Sequence, residues 1–253
     1  MKNLFIIFLL LLSDKVITRE VGQTEITTED GIEVFQNEKY YLLKKNVKID
    51  SDEFILFADK VKIFFDKDLY DIKMIDAVGN VILDSNLYNV KASGPSLTFE
   101  VDNEEIHIVG MNSKLLTNDT DMFSDGEIKV NNINGNFLIY GPNSKMKSEN
   151  IYIEGQYIDG IFFTTEDEKD IKLLNVNDEN IAFVRNKDTD MYANIVKYNK
   201  ETSLMELENN VKILRDGETI TGDYGTLDTR TNSYKVKSRD SKKVKVIIIE
   251  KDE

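Results

Sequence analysis

The chain has 253 residues, of which 41% are hydrophobic, with 13 Phe and 11 Tyr, enough for a packed core and against global disorder. Its formal net charge is −14 and no Lys/Arg cluster is dense enough to track phosphates. That excludes a nucleic-acid partner and reads as a solvated acidic surface. There is no Cys, so disulfides and thiolate chemistry are excluded, an absence that fits an oxidising compartment without requiring one.

The first stretch, MKNLFIIFLLLLSDK, places one Lys before an apolar run from Leu4 to Leu12. As a helix that run would span only about 14 Å against a bilayer core of roughly 30 Å. Residues 1–20 therefore read as a secretory signal peptide. No A-x-A site follows, and Ser13 and Thr18 are the only small residues before Glu20. An uncleaved N-terminal tether is the alternative.

From residue 22 onward the chain reads as one continuous domain to residue 253, with no Pro/Gly/Ser-rich linker. Thr24, Ile26 and Thr28 alternate weakly, as an edge strand would. Ile32, Val34, Tyr40, Leu42, Val47 and Ile49 then sit at spacing two within their runs. Phe54–Phe57, Val61–Phe65, Ile72–Ile75 and Val81–Leu83 follow, separated by Asp50-Ser51-Asp52, Asp66-Lys67-Asp68, Gly79-Asn80 and Asp84-Ser85-Asn86. Asn, Asp and Gly form turns because they tolerate positive φ and bond their own backbone. Beyond the leader no window carries an i, i+3, i+4, i+7 stripe, so the fold class is all-β, built of hairpins.

The strands repeat. Asn46-Val47 is followed twelve residues later by Ala58-Asp59, then by Tyr70 and Ile72; Asn80-Val81 by Ala92-Ser93, then Ile106; Asn210-Val211 by Gly222-Asp223, then Tyr234 and Val236. Asn150-Ile151 and Asn180-Ile181 extend the series, with Lys114-Leu115 in the place between. An internal period of two excludes the helical arrays that share a repeat near 34 residues, and the lack of Trp argues against a propeller. Pro95 and Pro142 fall in turns. The terminal run KKVKVIIIE sets Val244, Val246 and Ile248 on one face. A strand this apolar needs a partner for its backbone, inside the fold or on another protein.

Chemistry is sparse. His107, the only histidine, alternates with Ile106 and Ile108 as a solvated strand residue. There is no G-x-S-x-G, P-loop or H-E-x-x-H. The carboxylate groups Asp52-Glu53, Glu104-Glu105 and 166–170 lie in turns. Asn118–Gly126 is no calcium loop, because Met122 and Phe123 stand where oxygen ligands belong. No catalytic residue, metal site or cofactor is expected. What remains is apolar surface on many short strands, which either packs as a core or lines an open groove.

Residues Tyr41–Ile49 through Ala58-Asp59-Lys60-Val61, and Met205–Asp228 with Gly222-Asp223-Tyr224, resemble the OstA-like repeat of the LptA family of bacterial lipopolysaccharide-transport proteins, and Lys243–Val246 is similar to that family's end. The resemblance covers about residues 24–110 and 195–250, and fades over 111–194. In two copies Lys45 and Asn209 stand where the family has Gly before Asn-Val, and the chain is longer than a minimal member.

The resemblance implies an open, twisted β-jellyroll of two antiparallel sheets whose greasy interior holds lipid A acyl chains. It implies a non-enzymatic periplasmic bridge between the inner and outer membranes, LptC-like and LptD-like partners and head-to-tail self-association by strand pairing. The candidate groove residues are Val47, Ile49, Phe57, Val61, Ile63, Phe65, Ile72, Val81, Leu97, Phe99, Ile106, Val211, Ile213, Ile220 and Leu227. The candidate strand-addition edge is Val244, Val246 and Ile248. An inner-membrane-tethered LptC-like component, or a structural β-solenoid that binds a protein, are the alternatives.

Overall fold

The computed structural model describes residues 23–67, 71–87, 89–149, 151–163, 170–239 and 243–248. The leader, Tyr70, Asn150 and Ile249 lie outside the described residues. Every described element is a strand. The first six are β1 (Glu25–Thr27), β2 (Ile32–Phe35), β3 (Tyr40–Asp50), β4 (Phe54–Phe65), β5 (Ile72–Ser85) and β6 (Val90–Glu100). Short strands follow: β7 (Glu105–Val109), β8 (Ser113–Leu116), β9 (Thr120–Ser124), β10 (Glu127–Asn131), β11 (Asn136–Tyr140), β12 (Lys145–Ser148), β13 (Ile151–Glu154) and β14 (Tyr157–Phe162). Long ones return with β15 (Ile171–Asn186), β16 (Thr189–Asn199), β17 (Leu204–Arg215) and β18 (Glu218–Asp228), then β19 (Ser233–Lys237) and β20 (Lys245–Ile248).

The long strands are bent, and the bend explains their sequences. Pairing between β3 and β4 breaks register between Lys44 and Val47, and the same break recurs at Val78/Val81, Asn177/Ala182, Tyr192/Ile195 and Glu208/Val211. Each long strand thus contributes one half to each of two layers. The first layer runs β2, residues 40–44, 60–65, 72–78 and 96–100, β7, β10, β11, β14, residues 171–177, 195–199, 204–208 and 224–228, then β19. The second runs β1, residues 47–50, 54–57, 81–85 and 90–94, β8, β9, β12, β13, residues 182–186, 189–192, 211–215 and 218–221, then β20. All pairings are antiparallel, so the chain doubles back as a bent meander whose successive periods form flattened coils, with a seam of bends along one side and hairpin turns along the other.

The Asn-Val motif is the corner of this seam. Lys45 and Asn46 (φ 62° and 46°), Gly79 and Asn80 (81° and 48°), and Asn209 and Asn210 (64° and 54°) are left-handed pairs. Asn is the side chain that accepts this region at least cost, after Gly. The following Val47, Val81 and Val211 turn inward and are buried.

The second motif half is the return corner. Ala58, Gly94 and Gly222 pair directly with Val47, Val81 and Val211. A Cβ on Gly94 or Gly222 would lie 2.6 Å from Ile108 or 2.5 Å from Val236, so these corners admit small residues only. The polar residue after some of them ties neighbouring coils together. Asn80 Nδ2 donates to Asp59 Oδ2 (2.9 Å), Asn143 Nδ2 to Asp125 Oδ2 (2.6 Å) and Asn210 Nδ2 to Asn194 Oδ1 (2.7 Å).

Three expectations about the repeat are corrected. The residue equivalent to Ala58 is Gly94, because Ala92 pairs with Leu83 two residues farther from the bend. The middle corners carry Asn112 (φ 60°) and Asn143 (φ 56°), each followed by a buried Ser, not Lys114-Leu115 or Asn150-Ile151. Leu115 lies within β8, and Ile151 opens β13 at the hairpin side. Ile181 is exposed, and Ala182 is the residue that turns inward.

One apolar core fills the space between the layers, from Leu43 and Val47 at one end to Ile213 and Leu227 at the other. Alternation puts Leu43, Val61, Ile63, Ile75, Leu97, Ile108, Ile128 and Ile139 inward from the first layer. Leu56, Leu83, Leu115, Met122, Met146 and Ile153 face them from the second.

Candidate lipid-binding cleft

The hairpin side of the coils is the mouth between the two layers, and over the middle of the molecule it stays open. A cleft of about 300 Å³ enters there. Its walls are Phe99, Ile106, Val130, Phe162 and Phe163 from the first layer and Val90, Leu115 and Met122 from the second. An apolar annex of about 30 Å³ continues inward past Phe54, Leu56, Ile75, Leu83, Ser85 and Leu97, and shares Val90, Phe99 and Ile106 with the cleft. A cavity of about 150 Å³ lined by Leu, Ile and Phe accepts benzene, so this one has room for about a dozen carbon atoms.

Polar groups ring the entrance: Asn89, Glu104, Thr117, Asn118, Asp119, Thr120, Asn131 and Asn132. None of the described lining residues is Lys, Arg or His. The hairpins that carry these groups are fixed by local bonds. Thr117 Oγ1 accepts from the Thr120 amide (2.9 Å), and the Asn131 carboxamide accepts from the amides of Ile133 (3.1 Å) and Asn134 (3.0 Å). Asn132 Nδ2 donates to Glu104 Oε2 at 2.5 Å, within the first layer. These described turns at the entrance bond within their own layer. The arrangement suits an apolar chain inside and hydrogen-bonding groups at the rim, and holds no reacting set of side chains.

The sequence-derived candidates divide into three groups. Leu97, Phe99 and Ile106 line the cleft or its annex. Val47, Ile49, Val61, Ile63, Phe65, Val81, Val211, Ile213 and Leu227 face the interior but are buried in packed core, and Ile72 and Ile220 are half-buried. Phe57 is a correction: it is 44% exposed on the outer surface, beside Lys48 and Ile82. Its neighbours Leu56 and Ala58 face inward, so strand alternation turns Phe57 out.

The residues missed, Val90, Leu115, Met122, Val130, Phe162 and Phe163, fall mostly where the repeat fades. Alternation within TDMFS and EIKVN was their available signal. His107 is on the outer surface, with Nε2 2.7 Å from Glu127 Oε2.

The interior is not uniform along its length. In the last coils Leu174, Val176, Ala182, Val184, Met191, Val196, Met205 and Leu207 are fully buried, so the layers there are in contact. At both ends the inward faces are uncovered. Ile32 and Val34 on β2 are 50% and 46% exposed, and Val246 and Ile248 on β20 are 51% and 67% exposed. The terminal strand β20 pairs with residues 218–221 by one edge, and no described strand pairs with its other edge. Strand β19 ends the first layer in the same way.

Residues 25–146 match the sequence family described as LptA/(LptD N-terminal domain) LPS transport protein. Among curated proteins none matches in sequence. Among solved structures the chain is similar to LptH, the LptA-homologous periplasmic component of the lipopolysaccharide transport device of Pseudomonas aeruginosa. The two are 9% identical over 90% of this chain and 96% of that one, with a TM-score of 0.23.

Proposed function

We propose that this chain, whose residues 25–146 match the family described as LptA/(LptD N-terminal domain) LPS transport protein, carries lipopolysaccharide across the periplasm with an acyl chain held in the cleft between its two layers. The observation that carries this reading is the apolar cleft bounded by Phe99, Ile106, Leu115, Met122 and Phe162, with its polar rim. Exposing an acyl chain to water costs on the order of 0.8 kcal/mol per methylene, so a dozen methylenes cost roughly 10 kcal/mol. A carrier needs continuous apolar cover and no catalytic group. The matched family is described as one of transport proteins.

Bridging follows from the ends. Strands β1 and β2 at one end, and β19 and β20 at the other, each have an edge that no described strand pairs with, beside uncovered inward faces. Edges of this kind add strands from another chain. A second copy, or LptC-like and LptD-like partners, would extend both layers and continue the apolar interior.

Photo-reactive residues at Phe99, Ile106 and Phe162 test the reading, with Phe57 as the outward-facing control. Purification from lipopolysaccharide-containing membranes, followed by irradiation and mass spectrometry, is expected to yield lipid adducts at the three cleft positions. Equal adduct formation at Phe57 would refute the cleft as the binding site.

A further inference from the structure

Two hydrogen bonds cross the mouth near the C-terminal end, where the coils are packed shut. Arg215 ends the second-layer half of β17, and its Nη1 donates to the backbone oxygen of Asn232, in the first-layer turn between β18 and β19 (2.9 Å). Tyr234 lies on β19, opposite the buried Leu227, and therefore points inward. Its Oη donates to Glu218 Oε2 on the second-layer half of β18 (2.9 Å). Strand alternation from Ile213 and Ile220 puts Arg215 and Glu218 on the inward side as well. Arg215 is 22% exposed, with Asp188 and Asp216 carboxylates at 3.5 and 3.4 Å and no two-point pairing to either. By contrast, Arg185 on the outer surface grips Asp190 through Nε and Nη2.

The bridges coincide with the change in the interior. Around the cleft the hairpin side chains bond within their own layer, and there the layers stand apart. At Arg215 and Tyr234 they bond across, and beneath them Met205, Ile213 and Leu227 are buried. A chain moving from the cleft toward β19 and β20 meets closed coils.

We propose that Arg215–Asn232 and Tyr234–Glu218 form a polar latch across the mouth, which holds the C-terminal coils shut and opens to let an acyl chain pass from the mid-molecule cleft to the C-terminal end. The cargo in this statement rests on the transport reading above; the latch itself does not. The latch is suited to reversible opening. Each bridge is a polar contact at the water boundary, so breaking it returns donors and acceptors to solvent at small net cost. The apolar residues beneath would be exposed by the same movement unless a lipid covered them, which links opening to cargo.

The chain has no Cys, so paired spin labels can be placed without background. Lys212→Cys and Lys235→Cys sit on the exposed outer faces of the two layers at this end, and their separation reports opening. In the otherwise unchanged protein a single short distance is expected. Arg215→Gln with Tyr234→Phe is expected to raise the population at longer distance several-fold, while Arg215→Lys, which keeps a donor, stays near the parent.

Lipid capture by a photo-reactive residue at Val211 is expected to rise several-fold in the same double variant, with capture at Phe99 unchanged. A distance distribution unaltered by the double variant, in protein with parental circular dichroism, overturns the latch. A lengthened distance without lipid capture at Val211, while Phe99 captures normally, overturns its role in passage. If the distance lengthens and neither position captures lipid, the latch stands and the transport reading falls.

Discussion

Replacing Gly79 by Ala tests the seam at a crowded left-handed corner. Gly79 has φ +81°, and a Cβ there would lie 2.3 Å from Asp59 Oδ2 and 2.8 Å from Asp59 Cβ. Two costs follow. Holding Ala in the left-handed region costs about 1–2 kcal/mol. Moving the Asp59 side chain away breaks its 2.9 Å bond from Asn80, a net loss of about 1 kcal/mol for an ordinary hydrogen bond. Gly79→Ala should therefore destabilise by about 2–3 kcal/mol.

Asp59→Ala alone removes only the bond and should cost about 1 kcal/mol. The double variant loses that bond once, not twice, and should fall about 1 kcal/mol short of the sum of the singles. Urea unfolding followed by far-ultraviolet circular dichroism reads all four stabilities. Additivity within about 0.5 kcal/mol would mean that the two corners do not touch in energy, and the account of the Gly79–Asp59 contact would be wrong.

Other outcomes follow from the cleft, the ends and the seam. Met205 is buried in the closed coils, so Met205→Ala should cost about 2–5 kcal/mol in the same urea assay and leave lipid capture at Phe99 unchanged. The rim carries Glu104 and Asp119, and no described lining residue is a cation. Binding of a phosphorylated lipid should therefore strengthen as salt rises, with the screening length falling from about 30 Å at 0.01 M to about 10 Å at 0.1 M. Glu104→Gln with Asp119→Asn should flatten that dependence in a fluorescence titration. Deleting residues 241–253 removes β20, and sedimentation should show loss of concentration-dependent oligomers. The Asp125 carboxyl is held below its ordinary value by the Asn143 side chain, then by the Asn112 amide. A lowered acid contributes its bonds above its unfolded value and loses them as pH falls through the folded one. Hydrogen exchange at the Asn112 amide should stay protected until the pH drops below the usual aspartate value of 3.8.

The parts of the fold legible in the sequence are those where local backbone chemistry and burial agree. Asn46-Val47, Asn80-Val81 and Asn210-Val211 combine a residue that tolerates positive φ with one that must be buried, so the pair is conspicuous. At Asn112-Ser113 and Asn143-Ser144 the backbone requirement persists, but burial is met by Ser hydroxyls that donate to Gly110 O (2.7 Å) and Gly141 O (2.8 Å). The apolar half of the signal is gone, and the short strands β7–β14 no longer run unbroken through the corner.

The cleft was less legible. Phe99 and Val61 read alike in sequence, since both belong to alternating apolar runs, and only the spacing between layers makes one a wall and the other core. Phe57 misled because large apolar residues fill both faces of β4, so alternation had no contrast to report.

The corners of the seam also bear on how long such a molecule can be. Each full winding passes one such corner of the seam, left-handed at Asn46, Asn80, Asn112, Asn143 and Asn210, and hands the chain to the next at the same side of the molecule. A winding adds two strands to each layer, or about 10 Å at the usual spacing between strands. Its end is displaced from its beginning only along the stack, so whole windings can be added or removed without altering the terminal edges. The seam thus works as a ruler graduated in steps of one winding. A lineage could match a wider or narrower gap between two fixed partners by changing the number of graduations, leaving the surfaces that meet those partners as they were.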